Sequence, residues 1–183
     1  MNEGINTILA SNRYGKPYES REFKNGFITI PASIYIHNDF SISAWVNLTV
    51  NKAYNVLVSF ANEEGSDLIW IGFKHLNFYV EISNSLNRVV QMMSNNSLPK
   101  GCWTHVTFVL KNSIGYMYLN GSLNNNAPLV EPNRVVREFN FIGKDSYDSS
   151  LYFAEGAFEH LKVYRGALTD KEIKTDFNMD GYS

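Results

Sequence analysis

The chemistry open to a chain is set first by its carboxylates, thiols and imidazoles, and in this sequence they are sparse and scattered. Acid–base hydrolysis of a glycoside needs two carboxylates at fixed separation across a cleft, and two on one strand would alternate at period two to share a face. The nearest approach is the adjacent pair Glu63-Glu64, whose side chains point to opposite faces if extended and fit a solvated turn better. The one thiol, Cys102, directly precedes Trp103 at a strand start, where a small, half-buried, inert residue is expected. The histidines His37, His75 and His160 are scattered and lack the i, i+2 spacing that would set two zinc ligands on one strand face. No catalytic set and no zinc site follow from these residues.

The elements available to position any site are strands. From about Phe23 onward, short alternating segments are separated by clusters of Asn, Gly, Ser and Pro, the pattern of antiparallel strands. Phe40, Ile42, Ala44, Val46 and Leu48 fall on one face and Ser41, Ser43 and Asn47 on the other with Trp45, which predicts a strand with one buried face. Similar segments recur at 27–30, 56–61, 68–73, 77–82, 88–93, 103–111, 116–120, 138–142 and 157–164. Even spacing with no helical pattern between strands predicts a two-sheet antiparallel sandwich and excludes a βαβ fold. Asn120-Gly121 tolerates positive φ and should close a tight hairpin, while 74–77 is a weaker turn. One short C-terminal helix is expected over about 170–177. Thr169 and Glu172 form a capping box there, and Leu168 and Ile173 are placed as a hydrophobic staple.

Composition bounds the rest. The 183 residues, 44% hydrophobic and 19% charged, suit a single all-β domain over 1–183 with its core at about 23–177. A net charge of -2 without any Lys/Arg run argues against nucleic acid and anionic membrane as partners. No apolar run is long enough to insert into a bilayer. Cys102 has no second cysteine to pair with inside the chain. The polar opening residues lack a signal-peptide core, and the expectation is a domain from a larger multidomain chain. Asn47, Asn95 and Asn120 head Asn-x-Ser/Thr triplets, acceptors for glycosylation in a eukaryotic secretory pathway.

Six fragments in order carry a family resemblance. They are Phe-Ser-Ile-Ser-Ala-Trp-Val at 40–46, Lys-Gly-Cys-Trp-Thr-His-Val at 100–106 and Tyr-Leu-Asn-Gly at 118–121, then Ile-Gly at 142–143, the strand 156–164 and Ala-Leu-Thr-Asp-Lys-Glu-Ile at 167–173. With them the chain resembles the laminin-G-like jelly-roll family of the concanavalin A-like lectin/glucanase superfamily. One departure stands in the last strand, where Phe158-Glu159-His160 replaces the family's Ile-Asp-Glu. The resemblance implies a two-sheet jelly-roll sandwich and makes His105 a structural residue bonded to backbone. The superfamily includes glycoside hydrolases, yet neither Glu-x-Asp-x-x-Glu nor Glu-x-Asp-x-Glu occurs.

The loop 143–148 is similar to the acidic calcium loop that pentraxins carry after the Ile-Gly strand. Its Asp145 and Asp148, with Asp67 from the loop before 68–71, would be the carboxylate ligands of a Ca²⁺ ion, which takes oxygen donors from several loops. Jelly-roll lectins hold sugars with loop aromatics and a few polar groups, a role open here to Tyr54, Tyr147 and Tyr152. Core packing is the expectation for Trp45, Trp70 and Trp103. The function expected is a non-catalytic recognition module, extracellular or at the cell surface, binding glycan or protein through rim loops and organised by calcium. The alternatives are a structural or assembly domain of a larger surface protein, fibre or toxin, and a noncanonical glycosidase.

Overall fold

The computed structural model describes residues 4–84, 88–146 and 152–179. Strands β1 (Ile5–Ala10), β2 (Ser20–Ile30), β3 (Phe40–Asn47), β4 (Asn55–Ala61), β5 (Ile69–Lys74) and β6 (Asn77–Asn84) are followed by β7 (Arg88–Ser97), β8 (Trp103–Lys111) and β9 (Ile114–Leu119). Then come β10 (Ser122–Pro128), β11 (Phe139–Ile142), β12 (Ala154–Tyr164) and the helix α1 (Asp170–Met179). All pairings are antiparallel, in the order β10-β9-β8-β3-β12-β2-β11-β4-β5-β6-β7, with β1 on β2.

The long strand β2 joins the two layers of this jelly-roll sandwich. Its first part pairs with β1 and β12, and its end, Ile28 to Ile30, pairs with β11. Gly26 sits where it crosses, and a Cβ there would meet the Asn6 carbonyl oxygen at 2.2 Å. Between the layers lies one core, including Phe40, Ile42, Leu57, Ile71, Val80 and Phe108.

Turn chemistry sets the hairpins. Asn120 and Gly121 have φ of 49° and 73° and join Leu119 to its partner Ser122, as a type I′ turn requires. The link between β5 and β6 is equally tight, with His75 at φ 55°, although nothing in its residue types announces it. Neither β1 nor β10 shows in the hydrophobic pattern. β10 is rich in asparagine, and Asn124 and Asn125 bond across to Asn96 and to the Met93 carbonyl of β7, fastening the two sheet margins together.

The expectation of one buried face on β3 is corrected, because its second face is covered too. Helix α1 lies over it, with Phe177 stacked on Trp45 at 5.4 Å. Asp176 accepts from Ser43 at 2.6 Å, Lys162 at 2.6 Å and Tyr164 at 3.2 Å. The His105 imidazole is 3.4 Å from that carboxylate and not on backbone, while its main-chain N–H bonds Asn120 Oδ1. From the β1–β2 connection Arg13 lies over Trp45 at 4.3 Å and pairs with Glu159. The helix begins as its cap predicts, with Thr169 N–H on Glu172 Oε2 at 2.8 Å and Glu172 N–H on Thr169 Oγ1 at 3.3 Å. Cys102 is exposed, in the turn that brings Gly101 to φ 75°.

Candidate functional site

The outward face of the other layer carries the site. Along β6 the residues Phe78, Val80 and Ile82 enter the core, so period two turns Tyr79, Glu81 and Ser83 outward. On β5 the same alternation sends Ile69, Ile71 and Phe73 inward and Trp70 outward. The register sets Ser59, Trp70, Glu81 and Gln91 side by side across β4, β5, β6 and β7. Gly72 gives the indole its room, since a Cβ there would come within 2.8 Å of the Trp70 ring and 2.4 Å of the Asn55 carbonyl.

Four aromatic rings meet on this face. Trp70 and Tyr79, 5% and 6% exposed, form its base with centroids 5.6 Å apart. Tyr54 packs edge-on against Trp70 at 6.1 Å and touches Tyr152 at 4.7 Å. These rings, with Glu64, Gly65, Ser66, Glu81, Ser83 and Asp145, line a cleft of about 500 Å³. Glu81 Oε2 accepts from the Tyr79 hydroxyl and from Gln91 Nε2, both at 2.9 Å. Burial first, and then the bond to the Glu81 carboxylate, hold the Tyr79 phenol protonated far above its ordinary range. Glu81 is thus an acceptor held in place by two donors. On the far side of Tyr79 a groove of about 360 Å³ is lined by Lys74, His75, Asn77, Gln91, Met92 and Met93.

Of the residues expected at a site, Tyr54, Tyr152 and Asp145 come together in the cleft, whose wall also includes Gly65 and Ser66. Tyr147 and Asp148 lie outside the described residues. Asp67 faces elsewhere: its Oδ1 accepts from Asn133 at 2.7 Å, and its carbonyl from Arg137 Nε at 3.3 Å. Arg137 is fully buried, and burial lowers its pKa against the opposing pull of the Asp67 charge. A protein cation therefore already sits beside Asp67. Among the described residues no three His, Cys, Asp or Glu side chains gather to hold a metal.

Trp70, Tyr79 and Glu81 are the members that sequence reading missed. Ile-Trp-Ile-Gly-Phe is apolar on both faces, so alternation alone cannot say which side is core. The signal was in β6, where Tyr79, Glu81 and Ser83 alternate with three aliphatic or aromatic residues. Of the sequon asparagines, Asn47 has its Oδ1 buried and Asn120 accepts from His105, while Asn95 is exposed and donates to the Asn124 carbonyl.

A family model described as the concanavalin A-like lectin/glucanases superfamily matches residues 23–174. No curated protein matches in sequence. Among solved structures, domain 4 of AbnA, an extracellular GH43 arabinanase from Geobacillus stearothermophilus in complex with arabinotriose, is similar with a TM-score of 0.71. Its identity is 20%, over 93% of this chain and 80% of that one. The Ruminococcus gnavus IT-sialidase CBM40 bound to alpha2,3 sialyllactose has a TM-score of 0.68 and 14% identity, over 87% of this chain and 98% of that one. The Botulinum neurotoxin serotype G binding domain has a TM-score of 0.71 and 14% identity, and the alignment covers 98% of this chain but 46% of that one. At these identities the likeness is one of fold.

Proposed function

The chain belongs to the concanavalin A-like lectin/glucanases superfamily, and on that premise we propose that it is a non-catalytic recognition module binding a glycan in the Tyr54–Trp70–Tyr79–Tyr152 cleft. The observation that carries this reading is the meeting of four rings with the fixed carboxylate of Glu81, on a sheet face that no described helix covers.

Sugar rings offer apolar C–H faces and hydroxyl edges. Aromatic faces take the first, and preset acceptors take the second with little ordering cost. Both described bonds to Glu81 fall on Oε2, so Oε1 is the acceptor for a sugar hydroxyl. Ser83 and Asn84 on the same wall add hydroxyl and amide groups. Two of the neighbours in fold hold saccharides as their names state, and a third is a toxin's binding domain. These support an extracellular or cell-surface setting, and a place within a longer multidomain chain.

Calcium is a separate part of the proposal. Asp145 at the cleft and Asp148 would supply carboxylates, with Asp67 left to Asn133 and Arg137. A ligand that binds only the folded state raises its melting temperature, so millimolar Ca²⁺ should raise Tm, and Asp145→Ala should abolish the rise. An unchanged Tm in the parent protein removes calcium and leaves the cleft reading intact.

The cleft itself is tested by screening the protein on a glycan array and titrating the strongest ligand calorimetrically. Tyr152→Ala should weaken binding by about tenfold, the order of 1.4 kcal/mol, while Tm stays within a few degrees. Binding unaffected by the substitution would place the ligand elsewhere. An array without any bound glycan would favour a structural or assembly domain.

A further inference from the structure

We propose that the protein forms a two-fold dimer in which strand β1 of one copy pairs antiparallel with β1 of a second, joining their sheets edge to edge. None of the residues that make this contact lines the cleft.

The outermost strands of the fold are β10, β7 and β1. The first two are fastened to each other: the Asn95 N–H and Nδ2 donate to Asn124, and Asn125 donates to the Met93 carbonyl, all at 2.7 Å. Among the described strands β1 pairs with β2 alone, so the N–H and C=O groups along its outer edge meet no other strand. Another extended chain is what completes such a row.

Edge strands usually carry a lysine, a proline or another device against pairing. The β1 sequence Ile-Asn-Thr-Ile-Leu-Ala has neither charge nor proline. Its register on β2 shifts between Ile5 and Thr7, and from Thr7 to Ala10 it runs regularly against Phe23 to Ser20. Ile5, Ile8 and Leu9 are between 50% and 56% exposed on it.

A second copy is the occupant these residues fit. An uncharged strand meets its own image without repulsion, and antiparallel pairing of identical strands generates the closed two-fold contact of most homodimers. The six residues of β1 extend only about 20 Å, and their pairing alone buries less than the roughly 1,200 Å² of a stable complex. Residues 11–19 supply the remainder. In an antiparallel pair the end of one β1 lies beside the start of the other, which brings Tyr14 and Tyr18, 56% and 73% exposed, alongside Ile5 of the second copy. The loop is already ordered, since Asn12 Oδ1 accepts from the N–H groups of Tyr14 and Lys16, both at 2.9 Å. Little freedom is lost when it docks.

Sedimentation equilibrium of the whole chain between about 1 and about 500 μM should show the average mass rising toward twofold, with half-conversion in the micromolar range of a small interface. Hydrogen exchange at the two ends of that range tests the same contact without any variant. The outward amides of β1 should be protected at least about tenfold more in the concentrated sample. Ile8→Lys sets a charge on the edge, opposite Glu22, and should abolish dimerisation while Tm stays within a few degrees. Tyr18→Ser should weaken the dimer several-fold. A chain that stays monomeric at the highest concentration overturns the inference, as does a dimer that persists in a folded Ile8→Lys or leaves β1 exchange unchanged. Each of these results leaves the cleft reading as it stands.

Discussion

Asp176 shows how much one side chain can hold. Burial pushes its pKa up, yet hydrogen bonds from His105, Lys162 and Ser43 outweigh burial and keep the carboxyl well below the usual range. The unfolded chain therefore takes up this proton at a higher pH than the folded one does. Its stabilisation is complete above about pH 5, and it is lost as pH falls from there toward the depressed folded value. Asp176→Asn should flatten that acid limb in urea melts recorded between pH 7 and 3, whereas a limb of unchanged steepness would refute the assignment. Arg13 is the second such residue, because its partner Glu159 is wholly buried. Truncating Arg13 to alanine strands that charge and should cost about 3–5 kcal/mol, read as a shift in the urea midpoint. A loss below about 1 kcal/mol would mean that water reaches Glu159.

At the scale of elements, the outward side of β4 to β7 depends on what the sheet leaves out as much as on what it presents. Gly72→Ala would press a methyl group against the Trp70 indole and the Asn55 carbonyl. It should cost about 1–3 kcal/mol and lower glycan affinity by displacing the ring, the two effects being separated by melting and titration. On the opposite face Thr169→Ala should cost about 1 kcal/mol through loss of the cap, with glycan affinity unchanged. Most of these elements were legible before the structure, because half-buried strands alternate and the Thr169–Glu172 box is a local signal. β10 was not, since its asparagines work as cross-sheet hydrogen-bonding groups and present no apolar stripe. The cleft was legible only at its margins. Tyr54, Tyr152 and Asp145 stand out as loop residues, but Trp70 sits in a run apolar on both faces, and its outward direction is decided by the layer that β5 joins. Asp67 looked like a metal ligand because sequence does not reveal that Arg137, seventy positions on, is buried beside it.

For the molecule as a whole, the two outer faces have different fates. Helix α1 and the Arg13 segment cover the side of β3, β8 and β12 with Trp45, Phe177, His105 and the Asp176 network. The side of β4 to β7 keeps its aromatic rings at a cleft. On the proposed reading, the ligand sits on the second of these surfaces, beside the carboxylate of Glu81. The most direct check is a two-dimensional NMR titration with the strongest array glycan, following the indole N–H signals of Trp45, Trp70 and Trp103. The Trp70 signal should shift with saturation while Trp45, under α1, stays in place. A saturable shift at Trp45 with Trp70 unmoved would contradict the cleft as the binding site.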